Sequence, residues 1–138
     1  MLKRRDEEHH QVALVDWFRK QYPKYANLLT LGSIGENVGS RRMARLKQMG
    51  LTPGYPDLFF ALPKKIEHHK FDRHLGEGIK EFIEVEFFAG LFIEMKSEKG
   101  IVSSHQKEIH ELLRKHHYKV EVAYDWEEAK QIIENYLA

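Results

Sequence analysis

Residues 91–124 constrain the fold more than any other part of the chain, because they read as a strand, a capped helix and a second strand. The first strand is the apolar run from Leu91 to Lys96. The helix starts at a Ser103 or Ser104 cap and runs to about His116, with Ile109, Leu112 and Leu113 facing inward, and Tyr118 to Tyr124 then alternates as a strand. A helix between two strands requires a right-handed crossover and at least one parallel pairing. The remaining sequence supplies the other layers. Helical spacing of Val12, Leu14, Val15, Trp17 and Phe18 predicts a helix over 7–22, stopped by Pro23 and with Asp6, Glu7 and Glu8 placed to favour its dipole. A short strand and a Gly-rich loop follow to Gly39. Ser40 caps a helix to about Met49, with Met43 and Leu46 inward and Gly50 at its end. The turn Thr52-Pro53-Gly54-Tyr55-Pro56 leads into a strand over 57–62, a second strand is read over 81–88, and Asp125 caps a last helix whose stripe is Trp126, Ala129, Ile132, Ile133 and Leu137. The order describes an α/β domain with a small mixed β-sheet flanked by helices.

With 138 residues the chain is one domain, 1–138, long enough for a single core. Residues 63–80, polar and rich in His and Lys, read as an inserted loop or a hairpin tip. The longest apolar run, Phe87 to Ile93, is far short of a membrane span, and nothing apolar follows the charged N-terminus as in a secretory signal, so a cytoplasmic protein without membrane contact is expected. Absence of cysteine excludes disulfides, thiolate zinc sites and a cysteine nucleophile. The histidines fall largely in adjacent pairs (His9-His10, His68-His69, His116-His117), which point apart on a helix or a strand, and none has zinc-ligand spacing.

Net charge is only +1, but its distribution is uneven. Between Asn37 and Pro56 no acid appears, whereas Arg41, Arg42, Arg45 and Lys47 add four positive charges suited to phosphate contacts, with Asn37 and Gly39 offering loop amides. Lys64, Lys65, Lys70 and Arg73 form a second basic group within 63–80. Acids concentrate in the second half.

The chemistry-bearing pattern is Glu94-x-Lys96. Two residues apart on a strand, they project from one face about 6.6–7 Å apart, while Ile93 and Met95 point into the opposite layer. A carboxylate that holds a hard divalent cation, beside an ammonium that orients an attacking water and neutralises developing charge, suits phosphodiester hydrolysis. One carboxylate holds such an ion poorly. Asp57, at the mouth of its strand just after the Pro-Gly-Tyr-Pro turn, is the natural second ligand, and the Met95 carbonyl is a candidate third.

These stretches resemble the VRR-NUC (virus-type replication-repair nuclease) family of the PD-(D/E)XK nuclease superfamily. The resemblance is carried by EEHHQVALVDWF (7–18), SRRMARLKQMGLTPGYPDLFF (40–60) and GLFIEMKSEKGIVSSHQKEIHELLRKHHYKVEVAYDWEEAKQIIENYL (90–137), most of the chain outside 61–89. It implies a restriction-endonuclease-like core and a Mg²⁺- or Mn²⁺-dependent endonuclease acting on DNA, often branched or flapped, such as Holliday junctions. It places Asp57, Glu94 and Lys96 at the catalytic positions, Gln106 at the family's glutamine in the following helix, and an acid of the N-terminal helix in the metal site: Glu7, with Glu8 close behind. A homodimer is expected from stand-alone family members. The chain departs from the pattern in the roughly 30 residues between the Asp and Glu strands, where Glu84 and Glu86 make a second acidic pair, so Glu86 is either a decoy or an auxiliary ligand. The alternatives are a sequence-specific restriction-type nuclease and a non-catalytic DNA-binding module of the same fold.

Overall fold

Strand β5 (Gly90–Met95) is buried at all six positions and organises the molecule. The computed structural model describes residues 2–34, 38–73 and 78–138, with side chains from Asp6 onward. In chain order the other elements are α1 (Leu2–Gln21), a 3₁₀ turn (Pro23–Leu28), β1 (Leu29–Leu31), α2 (Ser40–Gln48), β2 (Leu58–Phe60), β3 (Lys64–Arg73), β4 (Ile79–Phe88), α3 (Ser104–Lys115), β6 (Tyr118–Ala123) and α4 (Trp126–Leu137). One four-stranded sheet has the order β1-β2-β5-β6. Its β1/β2 and β2/β5 pairs are antiparallel, while β5 and β6 run parallel, joined by α3. The small mixed sheet flanked by helices is therefore the observed architecture.

Alternation along the strands sorts side chains into two layers. Leu58, Phe60, Leu91, Ile93, Met95 and Ala123 join Leu14 and Phe18 of α1 and Ala129, Ile133 and Tyr136 of α4 in the main core. On the other face Phe92 and Val120 meet Leu113 of α3, with Phe59, Tyr55, Ile109 and Tyr118 against them. Phe59 stacks on Phe92 with ring centroids 4.5 Å apart. Asp57 and Glu94 share parity with Phe59 and Phe92, so both belong to this smaller layer.

Several local expectations change. Ser40 lies inside α2 and Gly39 is its N-cap, without a side-chain bond. Asn37 falls outside the described residues. Helix α1 begins at Leu2, so Asp6, Glu7 and Glu8 stand beyond its first turn, and the helix dipole does not account for them. In α3, Leu112 is exposed, and the buried positions are His110 and Leu113.

The largest difference concerns 63–80, expected as an inserted loop or a hairpin tip. Lys64–Arg73 is instead a ten-residue strand in full antiparallel register with Ile79–Phe88, forming a separate two-stranded sheet. Its pairing is polar: His68 bonds Glu86, His69 bonds Glu81 and Lys70 pairs with Glu84 across the strands. Neither face is buried by the domain, and Lys64–Arg73 is polar on both sides, so the alternation that betrays a half-buried strand is missing from the β3 sequence. At its base Lys64 donates to the carbonyls of Asn135 (3.2 Å) and Ala138 (3.0 Å) at the C-terminal end of α4, where a cation is favoured. The Tyr136 hydroxyl donates to the Leu62 carbonyl at 2.5 Å.

Candidate active site

Three features of the sequence bring the candidate residues together. The Pro53-Gly54-Tyr55-Pro56 turn delivers Asp57 to the head of β2. Gly54 adopts a positive φ of 89°, and a Cβ there would stand 3.0 Å from side-chain atoms of His105 and Ile109, so the turn packs directly on α3. The Asp57 carboxylate accepts the Met95 amide at 2.7 Å, which ties the head of β2 to the end of β5. Met95 thus enters the site by its N–H, and its side chain lies in the main core.

Glu94 is the hub. Only 3% exposed, its Oε1 accepts the Gln106 side-chain amide at 3.1 Å and lies 3.8 Å from the Lys96 ammonium. Its Oε2 is 3.4 Å from Nε2 of His110, and its carboxyl faces that of Asp57. Helix α3 can serve it because Ser103 and Gln106 form a capping box: Ser103 Oγ accepts the Gln106 amide, and Gln106 Oε1 accepts the Ser103 amide. Gln106 thereby closes the helix start with its oxygen while its nitrogen holds Glu94. Gln106, His110 and Leu113 follow helical spacing, so a single stripe of α3 is polar over Glu94 and apolar over Phe92 and Val120.

Glu7 reaches the same place from α1. Residues 7, 11, 14 and 18 share one helix face. Leu14 and Phe18 are buried in the core, Gln11 borders the cleft, and Glu7 Oε1 accepts the Ser97 amide at 3.1 Å. Glu8 is exposed and also borders the cleft.

Electrostatics match this crowding. Burial first, then the facing Asp57, pushes the Glu94 carboxyl from its ordinary 4.5 up to about 9, against Lys96, which lowers it; Glu7 adds to the rise. Asp57 is raised as well, chiefly by burial, although the Met95 amide opposes the shift. Burial, with Arg114 and Lys96, holds the His110 imidazole below the usual histidine range. A half-buried Asp57 carboxyl facing the buried one of Glu94, with the Lys96 ammonium 3.8 Å away, forms a donor set of oxygens only, which fits a hard divalent cation. As arranged, no group of three or more His, Asp or Glu among the described residues is disposed to hold a metal ion. Of the expected set, Asp57 and Glu94 stand together and Glu7 is turned onto Ser97.

Asp57, Glu94, Lys96, Gln106 and Glu7 all line one cleft of about 1090 Å³ between α1 and the turn before β2. Val12, Leu31 and Ile34 give it an exposed apolar lip. Of the basic residues of α2, Lys47 lines the cleft one turn from Met43, while Arg41, Arg42 and Arg45 are exposed outside its lining. Glu84 and Glu86 are exposed on β4, bound to Lys70 and His68, and do not approach Asp57. Sequence reasoning missed His110; its signal was the spacing Gln106-x-x-x-His110, which puts both on one face of α3.

A mixed sheet bearing a half-buried Asp beside a buried Glu with a lysine two residues along defines a protein of the PD-(D/E)XK class. The VRR-NUC domain model matches residues 5–126, and the chain belongs to the VRR-NUC family of nucleases. Among solved structures it is similar to a "VRR_NUC domain protein" with a TM-score of 0.65 and 22% identity, covering 96% of this chain and 88% of that one, a likeness of fold. No curated protein matches the chain. No helix among the described residues is long and apolar enough to cross a membrane.

Proposed function

We propose that this chain is a Mg²⁺- or Mn²⁺-dependent endonuclease that hydrolyses phosphodiester bonds in branched DNA, with Holliday junctions and flaps as candidate substrates. The observation that carries the reading is the half-buried Asp57 paired with the buried Glu94 beside Lys96 at the floor of an open cleft. Asp57 and Glu94 would hold the cation, with Glu7 able to join by releasing Ser97. When bound, the ion supplies charge neutralisation at the phosphodiester and makes an attacking water more acidic. Lys96, 13% exposed and anchored next to Glu94, orients that water and balances charge developing on the phosphate. Gln106 keeps the Glu94 carboxylate in place. Lys47 and the arginines of α2 supply backbone contacts, which position a strand without reading its sequence. The apolar lip formed by Val12, Leu31 and Ile34 suits unstacked bases better than a paired duplex, which favours branched or flapped substrates.

The test is cleavage of single-stranded, duplex, flapped and four-way-junction DNA with Mg²⁺, Mn²⁺ or EDTA. Cleavage of branched substrates that EDTA abolishes is expected. Folded protein that binds these DNAs without metal and cuts none of them is instead a DNA-binding module.

A homodimer is part of the proposal. Phe71, Ile79, Ile83, Val85 and Phe87 fall on one face of the β3–β4 hairpin and are 48% to 67% exposed. A lone two-stranded hairpin is marginal in water, and a twofold axis would lay this face against its own copy. Val85→Lys places a charge in that contact twice over. Sedimentation velocity is expected to show a dimer for the wild type and a monomer for the variant; a wild type that stays monomeric at tens of micromolar ends the dimer proposal.

A further inference from the structure

His110 lies outside the acid–lysine pattern and outside every motif read from the sequence, yet it is 2% exposed and touches the centre of the site. Its Nε2 is 3.4 Å from Glu94 Oε2, while Gln106 holds Oε1 at 3.1 Å. The two oxygens of the hub carboxylate are thus gripped separately by two residues one turn apart on α3. We infer that His110 is a positioning residue that fixes the Glu94 carboxylate for cation binding. The inference rests on the metal-dependent reading above and adds to it a specific duty for a residue that would not touch metal or substrate.

The physical case is one of constraint. A glutamate held by a single donor at one oxygen is still free to swing about its terminal torsion, which is broad and roughly two-fold. A donor on each oxygen removes that freedom and selects one orientation. A neutral imidazole has one N–H, and the acceptor at Nε2 makes Nε2–H the tautomer that serves Glu94. Hydrogen bonds to a ligating carboxylate from groups behind it are worth roughly 10–100-fold in metal affinity or activity. A histidine present only to fill the core would behave differently, because an apolar side chain of similar size would replace it without effect on the site.

The experiment measures Mn²⁺ affinity of the full chain by isothermal titration calorimetry, together with melting temperature and metal-free DNA affinity, for the wild type, His110→Leu, His110→Gln and His110→Asn. Expected is a 10- to 100-fold loss of Mn²⁺ affinity in His110→Leu with metal-free DNA affinity unchanged. His110→Gln, whose amide nitrogen can stand near the Nε2 position, returns most of it. His110→Asn, whose amide nitrogen stands near Nδ1, does not. Equal Mn²⁺ affinity in the Gln and Asn variants overturns the inference even if His110→Leu fails to fold, and so does wild-type affinity in a folded His110→Leu. A wild type with neither Mn²⁺ affinity nor cleavage overturns the nuclease reading itself and this inference with it.

Discussion

Alanine in place of Lys96 will slow DNA cleavage by about a thousandfold at a melting temperature close to wild type. The expectation separates two roles that a buried lysine can play. Lys96 borders the cleft, and its ammonium sits 3.8 Å from Glu94, too long for a tight pair and outside both hydrophobic clusters. Removing it leaves no naked charge on Glu94 near neutral pH, since burial and the facing Asp57 hold that carboxyl up at about 9 and the loss of Lys96 only raises it further. Stability therefore has little to lose. The reaction loses the ammonium standing beside the acid pair in the cleft floor. Lys96→Arg will not restore it, because a planar fork cannot replace a compact ammonium at this distance. Single-turnover cleavage of a flapped or junction substrate, at saturating Mg²⁺, is the measurement. A rate within tenfold of wild type in Lys96→Ala would remove the lysine from the chemistry. Glu86→Ala serves as the matched control and will cleave normally, because Glu86 is tied to His68 on the exposed hairpin.

Glu94→Gln will produce opposite effects on activity and on metal-free stability. Cleavage falls by a similar factor because the cation loses one of its two best-placed ligands. Stability in EDTA rises, on the order of 2 kcal/mol at pH 8, or about 5 °C in melting temperature. The sign follows from the raised carboxyl. Unfolded, Glu94 gives up its proton near 4.5; folded, it keeps that proton to about 9. Between those values the native state binds more protons than the unfolded state, so wild-type stability falls as pH climbs and levels off above 9. A glutamine has no proton to keep, and its variant will show a flatter profile over the same window. Thermal melts from pH 5 to pH 9 in EDTA test this, and a wild-type curve that is flat or rises with pH contradicts it. Saturating Mn²⁺ should raise the wild-type melting temperature and leave that of Glu94→Gln nearly unmoved.

The parts legible from sequence were those in which one residue's role is set by its near neighbours. Glu94 and Lys96 declared themselves by two-residue spacing on an apolar strand, and the crossover through α3 followed from a strand, a serine cap and a strand in order. Asp57 was marked by its turn. What stayed hidden depends on contacts far along the chain. His110 was marked only by its spacing from Gln106 on α3, and its contact with Glu94, sixteen residues earlier, is made through the fold. Leu112 looked like part of the inner stripe because its apolarity was weighed and the buried histidine beside it was not. Strand β3 was read as part of a loop or hairpin tip, while most of β4 was read as a strand, for a related reason: β3 is polar along both faces and held by cross-strand pairs such as His69–Glu81, so it carries no periodic signal of its own. Glu7 was identified through resemblance alone, and its physical role became visible only when Ser97, ninety positions away, appeared as its partner.

The hairpin also settles how 30 residues can separate the Asp and Glu strands without disturbing either. The chain leaves the sheet after Phe60 and rejoins it at Leu91, and these two residues are cross-strand partners. Geometrically the excursion begins and ends at the same point, so the sheet is built as though a tight turn joined β2 to β5. Closure entropy grows only logarithmically, about 0.6 kcal/mol for each doubling of loop length. The floor of the candidate site is thus insulated from the contour length of the segment above it. Evolution or an engineer can lengthen, trim or re-letter that segment as an accessory, changing what the protein grips while Asp57 and Glu94 keep their separation.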